Sequence, residues 1–161
     1  MLSLKRTLAG LVMSVATVMA VAQTATPDAL IKTVSTEVID TIKGDKTLQS
    51  GDVSKIISLV DAKVMPHVNF QRMTASAVGR NWRTATPEQQ KRLQEEFKTL
   101  LVRTYAGALT QVKDQTVQLK PLRAAAEDTE VVVRTEVKGK GEPIQLDYRL
   151  EKADAAWKIY D

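Results

Sequence analysis

The chain contains no cysteine. That one absence excludes thiol nucleophiles, thiolate metal centres and a disulfide framework. Histidine is almost as scarce. His67 is the single imidazole in 161 residues, so a multi-histidine metal site has no material and a Ser-His-Asp triad has only one base to draw on. Aromatic residues make up 4% of the chain, and 23 basic residues exceed 19 acidic ones by only four, with the two signs interleaved. Nucleic-acid recognition calls for a basic cluster or a glycine-aromatic signature, and neither occurs. A glycine-rich phosphate loop, a nucleophile elbow and a His-Glu-x-x-His motif are missing as well. What remains is an ordinary globular composition, 43% hydrophobic and 26% charged, long enough for one domain with its own core.

The N-terminus reads as a Sec-type leader. Lys5 and Arg6 form a short positive region, Leu8 to Val18 is apolar apart from small residues, and Ala20-Val21-Ala22 is an A-x-A cleavage site before the polar Gln23-Thr24. The apolar run is short for a bilayer span, which needs about 20 residues, so an anchor is the second reading. The expected layout is a signal peptide over residues 1–22, cleaved after about Ala22, and a domain over 23–161. Cleavage removes Lys5 and Arg6 and no acid, leaving 21 basic against 19 acidic residues, a net charge of +2. An exported domain without disulfides depends on its core alone, which fits a bacterial periplasm.

Four helices are expected first. Thr26-Pro27-Asp28 supplies a cap, a proline at the first helical position and an acid in the first turn, ahead of a stripe at Leu30, Ile31, Val34, Val38 and Ile42 that ends near Gly44. A second helix starts near Asp52, carries Val53, Ile56, Ile57, Val60 and Val64, and stops at Pro66. A short third helix over about Asn69 to Val78 sets Phe70, Met73 and Ala77 on one face. The fourth and longest begins with Thr86-Pro87-Glu88-Gln89, a capping-box sequence, and runs to about Lys113. Its stripe is Leu93, Phe97, Leu100, Leu101, Tyr105, Ala108, Leu109 and Val112, and it is expected to face a sheet formed later in the chain.

The period then changes from 3.6 to 2. Val117 and Leu119 alternate with polar neighbours, as do Val131, Val133, Thr135 and Val137 with Val132 the exception, and then Ile144, Leu146, Tyr148 and Leu150. Trp157-Lys158-Ile159-Tyr160 opens a fourth strand. Helices first and an antiparallel meander afterwards predict an α+β fold, with the helices on one face of a twisted sheet. The chain stops at Asp161, one residue after an aromatic strand, so the edge of that strand is expected to be uncovered.

Candidate chemistry is thin. Asp147 and Tyr148 are adjacent on a strand and point to opposite faces, so they cannot share a site. His67 follows Pro66 and reads as a surface or cap residue. Arg80, Trp82 and Arg83 form the most distinctive polar cluster. They suit anionic head groups or an acidic partner, or else a structural loop in which Trp82 packs below the helices and the arginines cap helix ends or pair with Glu88. Pattern alone leaves two readings for the apolar stripes, a filled core or a core with a cavity.

Three runs carry a family resemblance. They are Val64-Met65-Pro66-His67-Val68-Asn69-Phe70, then Ala77-Val78-Gly79-Arg80-Asn81-Trp82-Arg83-Thr84-Ala85-Thr86-Pro87-Glu88-Gln89, then Phe97 to Ala106 with its L-x-x-x-Y-x-x-A-L pattern. Together with the late strands ending at Trp157-Lys158-Ile159-Tyr160-Asp161, they resemble the MlaC family, also known as toluene-tolerance auxiliary proteins. The resemblance implies an NTF2-like fold and a monomeric, non-enzymatic carrier. Such a carrier needs no cofactor and takes phospholipid as cargo between an outer-membrane lipoprotein–porin complex and an inner-membrane ABC transporter complex, maintaining outer-membrane lipid asymmetry. It also implies that this chain lacks the C-terminal part of the family domain. Two alternatives stand beside it: an enzyme on an NTF2-like scaffold acting on a small apolar substrate, with Asp147 as the pocket acid, or a lipoprotein chaperone.

The physics suits a carrier. Burying a CH₂ is worth about 0.8 kcal/mol, so two long acyl chains represent on the order of 20 kcal/mol of burial that free diffusion through water would forfeit. From the facing stripes, the residues expected to touch the tails are Phe97, Leu101, Tyr105, Leu109, Val133, Leu146 and Tyr148. Tyr105 is expected to lay its ring on a tail and turn its hydroxyl to the cavity mouth.

Overall fold

The computed structural model describes residues 25–154 and 156–161. The leader expected over residues 1–22 lies outside the described residues. No helix among the described residues is long and apolar enough to cross a membrane.

Among the described residues, five α-helices precede four strands: α1 (Pro27–Gly44), α2 (Lys46–Gln49), α3 (Val53–Leu59), α4 (Phe70–Val78), α5 (Pro87–Leu109), β1 (Thr116–Leu119), β2 (Glu130–Lys138), β3 (Ile144–Ala153) and β4 (Ala156–Ile159). The strands form an antiparallel meander in the order β1-β2-β3-β4, so the α+β expectation holds. The register sets Val133 opposite Tyr148, Thr135 opposite Leu146 and Leu150 opposite Ile159. Residues directly opposite share a face, so the expected apolar alternation is realised.

Helix boundaries follow local chemistry. The Thr86 hydroxyl accepts from the Gln89 amide at 3.3 Å, and the Gln89 side chain accepts from the Thr86 amide at 2.8 Å, which completes the capping box of α5. Thr26 occupies the corresponding position before α1 but makes no such side-chain bond. The second helix departs from expectation. Its α geometry stops at Leu59, widens into a π-helix over Val60–Val64 and tightens into a 3-10 turn at Met65–His67. Pro66 has no N–H to donate and its ring would strike the carbonyl four residues back, and the wider turn ahead of it relieves both conflicts. The short α2 was not expected. Asp45 caps it by accepting from the Thr47 amide at 2.7 Å.

The core is divided in two. Ile42, Leu48, Ile56, Leu59, Val102 and Ala106 form a helical cluster. Ile31, Val131, Val133, Leu150 and Ile159 form a second one on the sheet. Helix α1 reaches both, with Ile31 on the sheet and Ile42 among the helices, 11 residues or about 16 Å apart along its axis. The stripe that faces the sheet therefore belongs to α1, and α5 packs on α3 and α4 instead. This corrects the expected pairing. The buried line of α5 is also rotated from the expected stripe: Val102 and Ala106 are buried, while Leu100 and Tyr105 are 59% and 60% exposed. Alanine and a valine beside a stripe of larger residues give little signal in sequence, yet they allow close helix–helix approach. On α4 the inward residues are Phe70, Met73 and Thr74, and Ala77 is exposed.

The β4 edge is not left bare. Val68 forms a parallel bridge with Ile159, the Asn69 amide donates to the Ile159 carbonyl at 2.7 Å, and the Lys158 ammonium donates to the Pro66 carbonyl at 2.5 Å. The segment that Pro66 takes out of helical geometry thus protects the edge expected to be open.

Candidate functional site

Because α3 widens at Val60 and the chain then turns at Pro66, the π-helix and α4 stand apart from α5. The space between them is an apolar cavity of about 220 Å³. Ile56, Val60 and Val64 line one wall, Met65 and Val68 the turn, and Phe70 and Met73 the α4 side. Helix α5 closes it with Leu101, Val102, Tyr105, Leu109 and the stem of Lys98. Lys98 keeps its ammonium out of the apolar space by pairing with Asp61 at 2.7 Å.

Three of the residues expected to contact acyl chains meet here: Leu101, Tyr105 and Leu109. Tyr105 lies at the open side, as its exposure requires. Phe97 stands next to the cavity rather than in its lining, and its ring stacks on that of Phe70 with centroids 5.7 Å apart. The strand residues are elsewhere. Val133 is 1% exposed in the sheet core, Tyr148 packs against that same cluster, and Leu146 is 41% exposed at the far end of the strand. None of the four strands walls the cavity, because α1, not α5, covers the sheet. Sequence reasoning missed Met65, Val68 and Met73, and the available signal was the apolar Val64, Met65, Val68 and Phe70 on either side of Pro66.

The α4 wall is fastened to the sheet by a polar clasp. Arg72 bonds Glu130 at 2.8 Å and also bonds Glu151, which accepts from the Asn69 amide group at 2.6 Å. The guanidinium lies 3.6 Å from the centre of the Tyr160 ring, and the Tyr160 hydroxyl donates to Glu130 at 3.2 Å. The Arg72 hydrogen bond holds the Glu130 carboxyl below its ordinary range. Burial, with the Glu130 charge beside it, pushes the Tyr160 phenol up.

The other candidates do not converge. Arg80, Trp82 and Arg83 sit on a 3-10 segment, Gly79–Thr84, bordering an open groove with Arg72 and Ser76 on the other side of α4. The Trp82 carbonyl accepts from the Gln90 side chain at 3.0 Å, which makes this segment the entry to α5. Asp147 faces outward and pairs with Arg134 at 3.4 Å, away from any apolar space. Among the described residues there is no cluster of histidine, aspartate and glutamate able to hold a metal ion.

The model of the MlaC protein family matches residues 32–161. The chain belongs to the MlaC family. A solved structure, that of a phospholipid-binding protein from Ralstonia solanacearum in complex with a phospholipid, is 53% identical and superposes with a TM-score of 0.82 over 85% of this chain and 76% of that one. The intermembrane phospholipid transport system binding protein MlaC of Haemophilus influenzae is 23% identical over 146 residues, covering 88% of this chain and 68% of its own length. Toluene tolerance protein ttg2D of Pseudomonas putida is 26% identical over 135 residues, covering 83% of this chain and 63% of its own length. This MlaC-family chain therefore spans about two thirds of each of those two relatives.

Proposed function

We propose that this protein is a periplasmic phospholipid carrier. It would take one lipid at a time between an inner-membrane ABC transporter complex and an outer-membrane lipoprotein–porin complex, with no chemical step. The observation that carries the reading is an apolar cavity between α3, α4 and α5 in a chain 53% identical to a protein held in complex with a phospholipid. Leu101, Tyr105 and Leu109 contact the tails, with Phe97 and Phe70 as the stack beside them.

The volume bears on mechanism. Pockets that enclose drug-sized ligands run about 300–1,000 Å³. A cavity of about 220 Å³ is too small for two long acyl chains, so loading requires the α3–π wall and α5 to part. The cost of parting is met by the burial of the tails, and docking on a membrane partner would favour the open form.

The test is direct. Protein purified from the periplasm is extracted with organic solvent, and the intact protein is weighed by native mass spectrometry. Bound phospholipid near one per chain is expected. A folded protein that carries no lipid, and takes none up from vesicles, would defeat the reading.

A further inference from the structure

The apolar cavity does not end at Lys98. A second hollow of about 200 Å³ adjoins it and shares Met65, Phe70 and Lys98 with it, adding the polar side chains Lys91, Gln94 and Glu95. Lys91 and Lys98 are seven residues apart on α5, which places them on nearly the same face two turns apart, with the hollow between them. Lys98 thus lines both spaces, and its ammonium is held by Asp61.

We propose that this hollow is the head-group site of the carrier and that Lys98, assisted by Lys91, holds the lipid phosphate. The inference rests on the carrier reading and adds a residue-level assignment to it. A phospholipid has one anionic phosphate a few bonds from two apolar tails. The two joined spaces repeat that order, with two lysines against one acid, Glu95, around the second hollow and apolar side chains lining the first. Asp61, 2.7 Å from the Lys98 ammonium, is the carboxylate that the phosphate displaces. Because Asp61 belongs to the π-helix and Lys98 to α5, that exchange also unties the two walls that must separate for the tails to enter.

The experiment compares uptake of a fluorescent phosphatidylethanolamine with that of a diacylglycerol bearing the same tails, from neutral vesicles, into wild type, Lys98→Met, Lys98→Arg and Lys91→Met proteins. Methionine keeps the apolar stem and removes the charge. Wild type is expected to prefer the phospholipid, and Lys98→Met to lose that preference by about tenfold, as the loss of a charged hydrogen bond implies. Lys98→Arg should restore most of it. Lys91→Met should lower it by a smaller factor, and since Lys91 is exposed this variant covers the case in which Lys98→Met fails to fold. An unchanged preference in both methionine variants overturns the assignment. So does tail-free glycerophosphoethanolamine that competes as well as the lipid, because the site would then be a free-phosphate site. A wild type that takes up both lipids equally sinks the head-group site alone, whereas one that takes up neither sinks the carrier reading as well.

Discussion

The rings of Phe70 and Phe97 stack with centroids 5.7 Å apart and planes 24° from parallel, joining α4 to α5 beside Phe70's place in both the apolar cavity and the second hollow. Phe70 is buried and Phe97 half-buried. Phe97→Ala removes the stack and leaves Phe70 without its partner. A loss of about 2 kcal/mol is expected, less than for a fully buried phenylalanine, measured by urea denaturation at neutral pH. Phe97→Leu should cost less than half of that. Equal stabilities for wild type and alanine variant would show that the stack carries no packing energy.

Filling the cavity separates the helical site from the sheet. Leu101→Trp should reduce phospholipid recovered per chain several-fold while the fold persists, since it occupies space the tails need. Leu146→Ala should leave recovery unchanged, because Leu146 is exposed on β3 and does not line the cavity. Lipid lost from the Leu146 variant and retained by the Leu101 variant would move the tail site back to the sheet.

The clasp on Arg72 is expected to work within a pH window. Glu130 has a lowered pKa in the fold, so its contribution is present above the ordinary glutamate value of about 4.3 and lost as pH falls through the depressed value. Tyr160 has a raised pKa, so its contribution is present below the ordinary tyrosine value of about 10 and lost as pH rises through the raised one. Thermal unfolding of wild type against Arg72→Met should show the larger gap near pH 7 and a smaller one near pH 3, whereas high pH should not shrink it, because the Arg72 charge opposes the upward shift of Tyr160. A gap constant from pH 7 down to pH 3 would mean that the Arg72–Glu130 charges do not stabilise the clasp.

Gly79 is the hinge between α4 and the 3-10 segment, at φ 67° and ψ −141°. A Cβ placed there meets nothing within 4 Å, so any cost of Gly79→Ala is backbone strain alone. Side-chain-bearing residues rarely adopt this conformation, and about 1–3 kcal/mol is expected by chemical denaturation. An alanine variant as stable as wild type would show that the segment relaxes freely.

Much of the fold is legible in the sequence alone. The shift from a 3.6 to a 2 period gave helices before strands, Thr86 and Gln89 fixed the start of α5, and Val131, Val133 and Thr135 gave the inward face of β2. The candidate site was legible on α5 only, through Leu101, Tyr105 and Leu109. These are local facts. A capping box or an alternating strand is decided by atoms a few residues apart, and it reads the same whatever the rest of the chain does.

Which surface each stripe meets is a different matter. Periodicity fixes the direction of an apolar face about its own axis and carries no information on the partner across from it. Ile31 took the place over Val133 that the stripe of α5 was expected to fill, and the small side chain of Ala106 let α5 settle against α3. Pro66 forced the widened turn that holds the walls apart. The sequence by itself therefore determined the elements, their apolar faces and the exclusion of thiol and multi-histidine chemistry. Only the tertiary structure decided that the cavity lies among the helices with Lys98 at its boundary, because burial is settled by competition among all the faces at once.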